Sequence, residues 1–319
     1  MADQTTKKAL QTSETPKTRK DTAIVTSDRY KTPKTSPLIF HFEPASFASP
    51  DLRLQECVIE HTSIEGKDVY LFDDFFLDEE AQELRDFSTK SEFSRTIFAE
   101  HYSRTQGEEP ARAMDNKEKW RFFANPPQSV KEIYKLLNFI AYRLDADVTT
   151  LPWELYDQDI CAPAVATNRI ENLSHESMEL GKHEDYSPES GIPFGIPILY
   201  SKDSALHSNQ FINGDPGKPW LVSLMLYSTS EDFLPEYGMG TIFCKKNGEI
   251  ALRGACKHMR FVLFEGDIIH SIEESKIPSG IKPWRVSYVF KLVINPKNEN
   301  QSMKKVFYEL MRSYKLLNS

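Results

Sequence analysis

No stretch of this chain approaches the roughly 18 consecutive apolar residues that an ordinary membrane-spanning helix requires. The N-terminal residues also lack the apolar segment of a secretory signal peptide. Cysteine is scarce: the four present, Cys57, Cys161, Cys244 and Cys256, lie far apart and form no Cys-x-x-Cys pair. That spacing does not read as a thiolate zinc site or a disulfide framework, and a reducing, cytoplasmic compartment is the expectation. Basic charge is in deficit as well, the formal net charge being −8. Phosphate contacts demand a local excess of Lys and Arg, so nucleic acid is the least favoured partner. No internal repeat of solenoid period is present.

What remains is the composition of an ordinary globular protein, 39% hydrophobic and 27% charged, able to bury a cofactor site without disulfides. Residues 1–37, rich in Thr, Ser, Lys and Pro, cannot bury enough surface to offset their ordering entropy and read as a disordered tail. This tail is net basic, so the remainder is more acidic than the whole chain. Residues 38–150 read as a strand and helical support region. Within it, Val69-Tyr-Leu-Phe-Asp-Asp-Phe-Phe76 has the texture of a half-buried strand. Asp78 is the expected N-cap of a helix carrying Ala81, Leu84 and Phe87. A second helix is expected from Ser129 to Leu144, with Val130, Ile133, Leu136, Leu137, Ile140 and Leu144 on one face.

From 151 to 295 the texture changes. Short apolar segments (Val165–Ile170, Ile196–Tyr200, Leu221–Tyr227, Thr241–Cys244, Phe261–Phe264 and Val286–Ile294) alternate with Gly, Pro, Asn and Asp clusters. Such spacing predicts an antiparallel barrel or sandwich of jelly-roll type. The fold class expected is therefore mainly β with flanking helices. Residues 296–319 close the chain, with Met303, Val306, Phe307, Leu310 and Tyr314 at helical spacing over Ser302–Leu317. Between Tyr186 and Lys218 the connection exceeds a normal loop, as an active-site lid would.

Chemistry enters with His183-Glu-Asp185. On a strand, residues i and i+2 share a face, so an imidazole and a carboxylate converge. A distant histidine would complete a 2-His-1-carboxylate triad, which suits Fe(II) and leaves positions open for co-substrate and dioxygen. Alone the doublet says little. Eight histidines yield about one such match by composition, and His41-Phe-Glu43 is a second. The pattern downstream adds weight. Phe261-Val-Leu-Phe-Glu-Gly-Asp-Ile-Ile-His270 reads as a buried strand, a turn at Glu265-Gly-Asp267, and a second strand carrying His270. Next, Trp284-Arg-Val-Ser-Tyr288 opens another strand with Arg285 and Ser287 on one face. A guanidinium there either snorkels to a rim or takes an anionic partner such as a ligand carboxylate, with Ser287 as an extra donor. His175 and His207 read as solvent-exposed, and His258 beside Lys257 and Arg260 as a surface cluster. Trp120, Phe122, Phe123, Trp153, Trp220 and Tyr227 read chiefly as core.

The order of His183-Glu-Asp185, His270 and Arg285-Val-Ser287 resembles the prolyl-4-hydroxylase-like branch of the 2-oxoglutarate and Fe(II)-dependent oxygenases. Gly240-Thr-Ile-Phe243 looks like the family's Gly-Thr-x-Phe strand, and Val69 through Ala81 like its entry strand and first helix. The resemblance spans about Lys67 to Ile294. It implies a double-stranded β-helix packed against N-terminal helices, with His183, Asp185 and His270 holding Fe(II). It further implies that 2-oxoglutarate chelates the metal while Arg285 and Ser287 grip its distal carboxylate. Dioxygen and 2-oxoglutarate would be consumed, releasing succinate and CO2, and a C–H bond of a protein side chain or small molecule would be hydroxylated.

The sequence departs from the family in three places. The gap from His270 to Arg285 is long, with Ile277-Pro-Ser-Gly-Ile-Lys-Pro283 inserted. Arg stands where many relatives have Lys. The strand Thr167–Asn172 has no Tyr to bond 2-oxoglutarate, leaving Asn168 or Arg169 as the substitute. A non-catalytic binding protein on the same barrel is the other reading. A cupin-like metal site is a third, disfavoured because Glu184–Ser190 supplies no further histidine.

Overall fold

The computed structural model describes residues 47–95, 112–114, 118, 122, 125–150, 165–170, 182–185 and 212–317, and everything below concerns these. The expected tail at 1–37, the segment Ile196–Tyr200, His175, His207 and most of the Tyr186–Lys218 connection lie outside them. The elements run α1 (Ala48–Glu56), β1 (Val58–Ile64), β2 (Lys67–Asp73), α2 (Asp78–Lys90), β3 (Phe93–Arg95), β4 (Arg112–Met114), α3 (Gln128–Arg143) and β5 (Ala146–Thr150). They continue through β6 (Val165–Ile170), β7 (Trp220–Thr229), β8 (Thr241–Cys244), β9 (Ile250–Gly254), β10 (Phe261–Glu265), β11 (Ile269–Ile272), β12 (Arg285–Pro296) and α4 (Met303–Leu317).

Two antiparallel sheets result, with helices flanking the larger. Its strand order is β1-β2-β10-β7-β12-β6-β4-β3, with β5 also paired to β12, and the smaller sheet runs β11-β8-β9. The described strands do not close into a continuous barrel, because each sheet is hydrogen-bonded only within itself. Strands from both sides of residue 150 share the large sheet: β2 pairs β10 and β5 pairs β12.

Alternation along the strands decides what each face meets. Tyr70, Phe72, Leu224, Leu226, Phe261, Leu263, Tyr288 and Phe290 pack with the helices, among them Ile133, Leu137 and Phe307. The intervening residues Val69, Leu71, Met225, Tyr227, Val262, Phe264 and Val289 face the other way and pack with Phe243 of the small sheet. Arg285, Ser287 and Lys291 have the same parity as Val289, and Ser223 that of Met225, so they too point into the space between the sheets.

The expected helix at 129–144 is α3, and its six apolar positions are all buried. In α2 the cap differs from expectation. Leu77 is the N-cap, and Glu80 reaches back to accept from the Leu77 N–H at 3.0 Å. Asp78 already lies inside the helix, where its charge favours the first turn. The entry strand belongs to a hairpin with β1, turned by Glu65 and Gly66 at φ 51° and 83°. Positive φ at both centres matches the strand twist in this type of two-residue loop, and at Gly66 it carries no steric cost.

Candidate metal centre

His270 is placed by a chain of local features. The buried strand β10 ends at Glu265, and a turn closed by the Ile268 N–H on the Glu265 carbonyl (3.1 Å) starts β11. His270 then pairs with Phe243 of β8. Its ring stands edge-on to Phe264 at 4.7 Å between centroids. Nδ1 lies 2.8 Å from the Ile268 carbonyl. A carbonyl can only accept, so Nδ1 carries the proton and Nε2 keeps a free lone pair, the orientation a metal-ligating histidine needs. Burial drives the ring's pKa down to about 4 against the pull of Asp185, leaving it neutral near pH 7.

The doublet does not lie in a regular strand. His183 forms an isolated antiparallel bridge with His270, N–H to carbonyl in both directions at 3.0 and 2.9 Å. The two rings sit 4.3 Å apart. Two residues on, the Asp185 carboxylate turns inward: its Oδ1 is 3.6 Å from His183 Nε2 and its Oδ2 3.9 Å from His270 Nε2. The three ligand atoms lie within 4.8 Å of one another. That spacing lets the three groups share one metal ion. This is a 2-His-1-carboxylate facial triad. Such a set suits non-haem Fe(II) and occupies only one face of the ion. The triad opens outward at His183, whose side chain is 55% exposed while that of Asp185 is 4% exposed.

Two residues that sequence reading missed hold the triad's carboxylate. Ser223 Oγ donates to Asp185 Oδ2 at 2.5 Å. Lys291 forms an ion pair with the same oxygen and donates to Ser223 Oγ at 3.3 Å. Burial would push the Asp185 carboxyl up, but Lys291, His270 and His183 together hold it well below the usual carboxylate range. No local signal marks Lys291. Its parity with Arg285 on β12 is the one feature that could have pointed to it.

Arg285 does not snorkel. It is 1% exposed, and its Nε and Nη1 have no hydrogen-bond partner among the described residues. The guanidinium carbon lies 5.5 Å from the centroid of the Tyr227 ring, whose hydroxyl is 2.6 Å from Thr241 Oγ1. Tyr227 thus supplies an aromatic wall beside Arg285, although it sits on β7 and reads as core in sequence. Ser287 is buried and stands in register between Tyr227 of β7 and Asn168 of β6. Arg169 takes another course, its guanidinium stacking over Trp284 and donating to the Ser88 carbonyl at 3.2 Å.

His258 corrects an expectation. Its Nδ1 accepts from the Thr229 N–H at 3.1 Å and its Nε2 meets the Ala81 carbonyl at 3.0 Å, so it ties α2 to β7. Arg260 beside it is buried and clasps Asp73, with Nε at 2.7 Å.

A scan against protein-family models finds no match, and neither does a search of curated proteins. Among solved structures, the chain is similar to a prolyl 4-hydroxylase from Phytophthora capsici at 14% identity and TM-score 0.36, covering 89% of this chain and 79% of that one. It is also similar to a Pseudomonas putida prolyl-4-hydroxylase at 11% identity and TM-score 0.30, covering 79% of this chain and all of that one. Scores this low carry no weight beside the strand pairing and the triad. No described helix is long and apolar enough to cross a membrane.

Proposed function

We propose that this protein is an Fe(II)- and 2-oxoglutarate-dependent oxygenase that hydroxylates a C–H bond with release of succinate and CO2. The observation that carries the reading is the buried Arg285 guanidinium, its Nε and Nη1 unpartnered among the described residues, on the same inter-sheet face as the metal triad. A triad alone would fit several metals. A buried cation with two unpartnered nitrogens on that face calls for an anionic ligand, since leaving such groups unmet is costly.

In this reading residues 151–295 form the catalytic core, 38–150 its support and 296–319 the closing helix. The β6-β12-β7-β10 run and the His183 bridge with β11-β8-β9 would be the two halves of a double-stranded β-helix. His183, Asp185 and His270 would hold Fe(II), whose chemistry when bound is the activation of dioxygen coupled to 2-oxoglutarate decarboxylation. Arg285 would take the distal carboxylate of 2-oxoglutarate, with Ser287 as an additional donor and Asn168 as its neighbour in register. Tyr227 and Phe264 would exclude water around the acid. The substrate, a protein side chain or a small molecule, would approach from the His183 side. The buried thiols of Cys57, Cys244 and Cys256 are free, which supports a cytoplasmic setting.

Anaerobic loading with Fe(II) and 2-oxoglutarate tests the site. A weak visible charge-transfer band is expected in the wild type and not in His183→Ala; no band in the wild type, or an unchanged one in the variant, sinks the reading. The Lys291 ion pair on Asp185 gives a second reading its footing, a non-catalytic barrel whose triad is held by its own cation. Uncoupled succinate formation under dioxygen separates the two.

A further inference from the structure

We propose that Tyr227 is a positioning residue of the Arg285 pocket: its ring face carries the guanidinium and fixes its plane for the distal carboxylate of the acid co-substrate. The inference rests on the functional reading above and deepens it. In register, Arg285 stands opposite Thr229, and Tyr227 opposite Ser287. Arg285 and Tyr227 are thus diagonal neighbours on two paired strands, a span that long and aromatic side chains can bridge. They do meet, the guanidinium carbon lying 5.5 Å from the ring centroid. Both side chains are buried, so little water competes for the contact.

What the ring supplies is orientation without neutralisation. Burial pushes the Tyr227 phenol up to about 12 against the pull of Arg285, so the ring is uncharged near pH 7. A neutral ring holds a cation through its quadrupole and leaves the full charge for an anion. The ring is itself fixed. Its hydroxyl lies 2.6 Å from Thr241 Oγ1, and Thr241 pairs with Ile272 of β11, the strand that carries His270. Tyr227 therefore ties Arg285 on the large sheet to the small sheet of the metal centre. A guanidinium held in place before the acid arrives loses less side-chain freedom on binding, and affinity rises accordingly.

The consequence is a dependence on Tyr227 confined to the distal carboxylate. Calorimetric titration of the Mn(II)-loaded protein tests it, with 2-oxoglutarate and with 2-oxobutyrate, which lacks that carboxylate. Tyr227→Leu should weaken 2-oxoglutarate about tenfold, between the worth of exposed and desolvated cation–π contacts, and leave 2-oxobutyrate unchanged. Tyr227→Phe, which keeps the ring, should retain most of the affinity. In an Arg285→Met background, Tyr227→Leu should cost nothing further, because the two residues act as one unit. If the Leu variant does not fold, fluorinating the new ring of Tyr227→Phe carries the test. Fluorine withdraws electrons from the ring face with little change of volume, so 2-oxoglutarate affinity should fall with each atom added. Undiminished 2-oxoglutarate binding in Tyr227→Leu, an equal loss for both acids, or a flat fluorine series overturns this proposal alone. Failure of the wild type to bind 2-oxoglutarate overturns the functional reading and this proposal with it.

Discussion

His183 and His270, 87 positions apart in the chain, exchange two backbone hydrogen bonds of 3.0 and 2.9 Å. The bridge fixes both Cα positions without using either side chain. Replacing His183 by Ala should therefore leave thermal stability nearly unchanged while weakening Mn(II) binding at least about 100-fold, beyond the range seen on losing an outer-shell partner. His270→Ala should abolish binding equally and also cost about 1–3 kcal/mol, because its ring packs on Phe264 and its Nδ1 bonds the Ile268 carbonyl. Calorimetry and metal titration on the same samples check both. A large loss of stability in His183→Ala would contradict the backbone bridge.

Arg285 should show effects of opposite sign. Without a ligand its buried, unpartnered nitrogens are a cost, so Arg285→Met is expected to stabilise the ligand-free protein by about 1–3 kcal/mol. The same change should weaken 2-oxoglutarate binding by roughly 30-fold or more, the loss expected on truncating one partner of a buried charge pair. Urea denaturation and anaerobic titration of the chelate measure the two sides.

Gly240 precedes β8, the strand that holds β11 in place. A Cβ there would lie 2.3 Å from the Gly254 carbonyl oxygen and 2.9 Å from the Cys256 nitrogen. Gly240→Ala must push β8 and β9 apart. A loss of about 1–3 kcal/mol is expected, as for overpacking elsewhere, with weaker metal binding as His270 shifts. Wild-type melting and metal affinity in this variant would contradict the close approach.

Glu265 makes stability depend on pH. Burial pushes its carboxyl up to about 7, although Lys304 (2.5 Å) and the Asp68 N–H (2.8 Å) pull it back. The folded value exceeds the ordinary 4.5, so the folded state binds the proton more tightly. Its contribution is fully present below about pH 4.5 and is lost as pH rises to about 7. Relative to Glu265→Gln, the wild type should lose on the order of 3 kcal/mol across that interval. Parallel urea titrations at pH 4.5 and 7.5 read the difference, and a flat one would show that Lys304 offsets the burial.

Much of this protein was legible in its residues. The helical period of Val130 through Leu144, the strand at Thr241–Cys244 and the turn before His270 are local patterns, set by side-chain spacing and turn chemistry over a few residues. Even His183, Asp185, His270 and Arg285 could be nominated, because order along the chain is a property of the sequence itself. Sequence could not show which atoms meet. His258 is a tie because the turn before β10 packs on α2 and β7, whereas that Lys291 and Ser223 grip Asp185 and that Tyr227 lies under Arg285 depends on strand register. Register pairs residues dozens of positions apart, and a shift of one would turn each of them to the opposite face. Local chemistry thus determined the parts of the site. Only the pairing of β12 with β7, and of His183 with His270, brought them together.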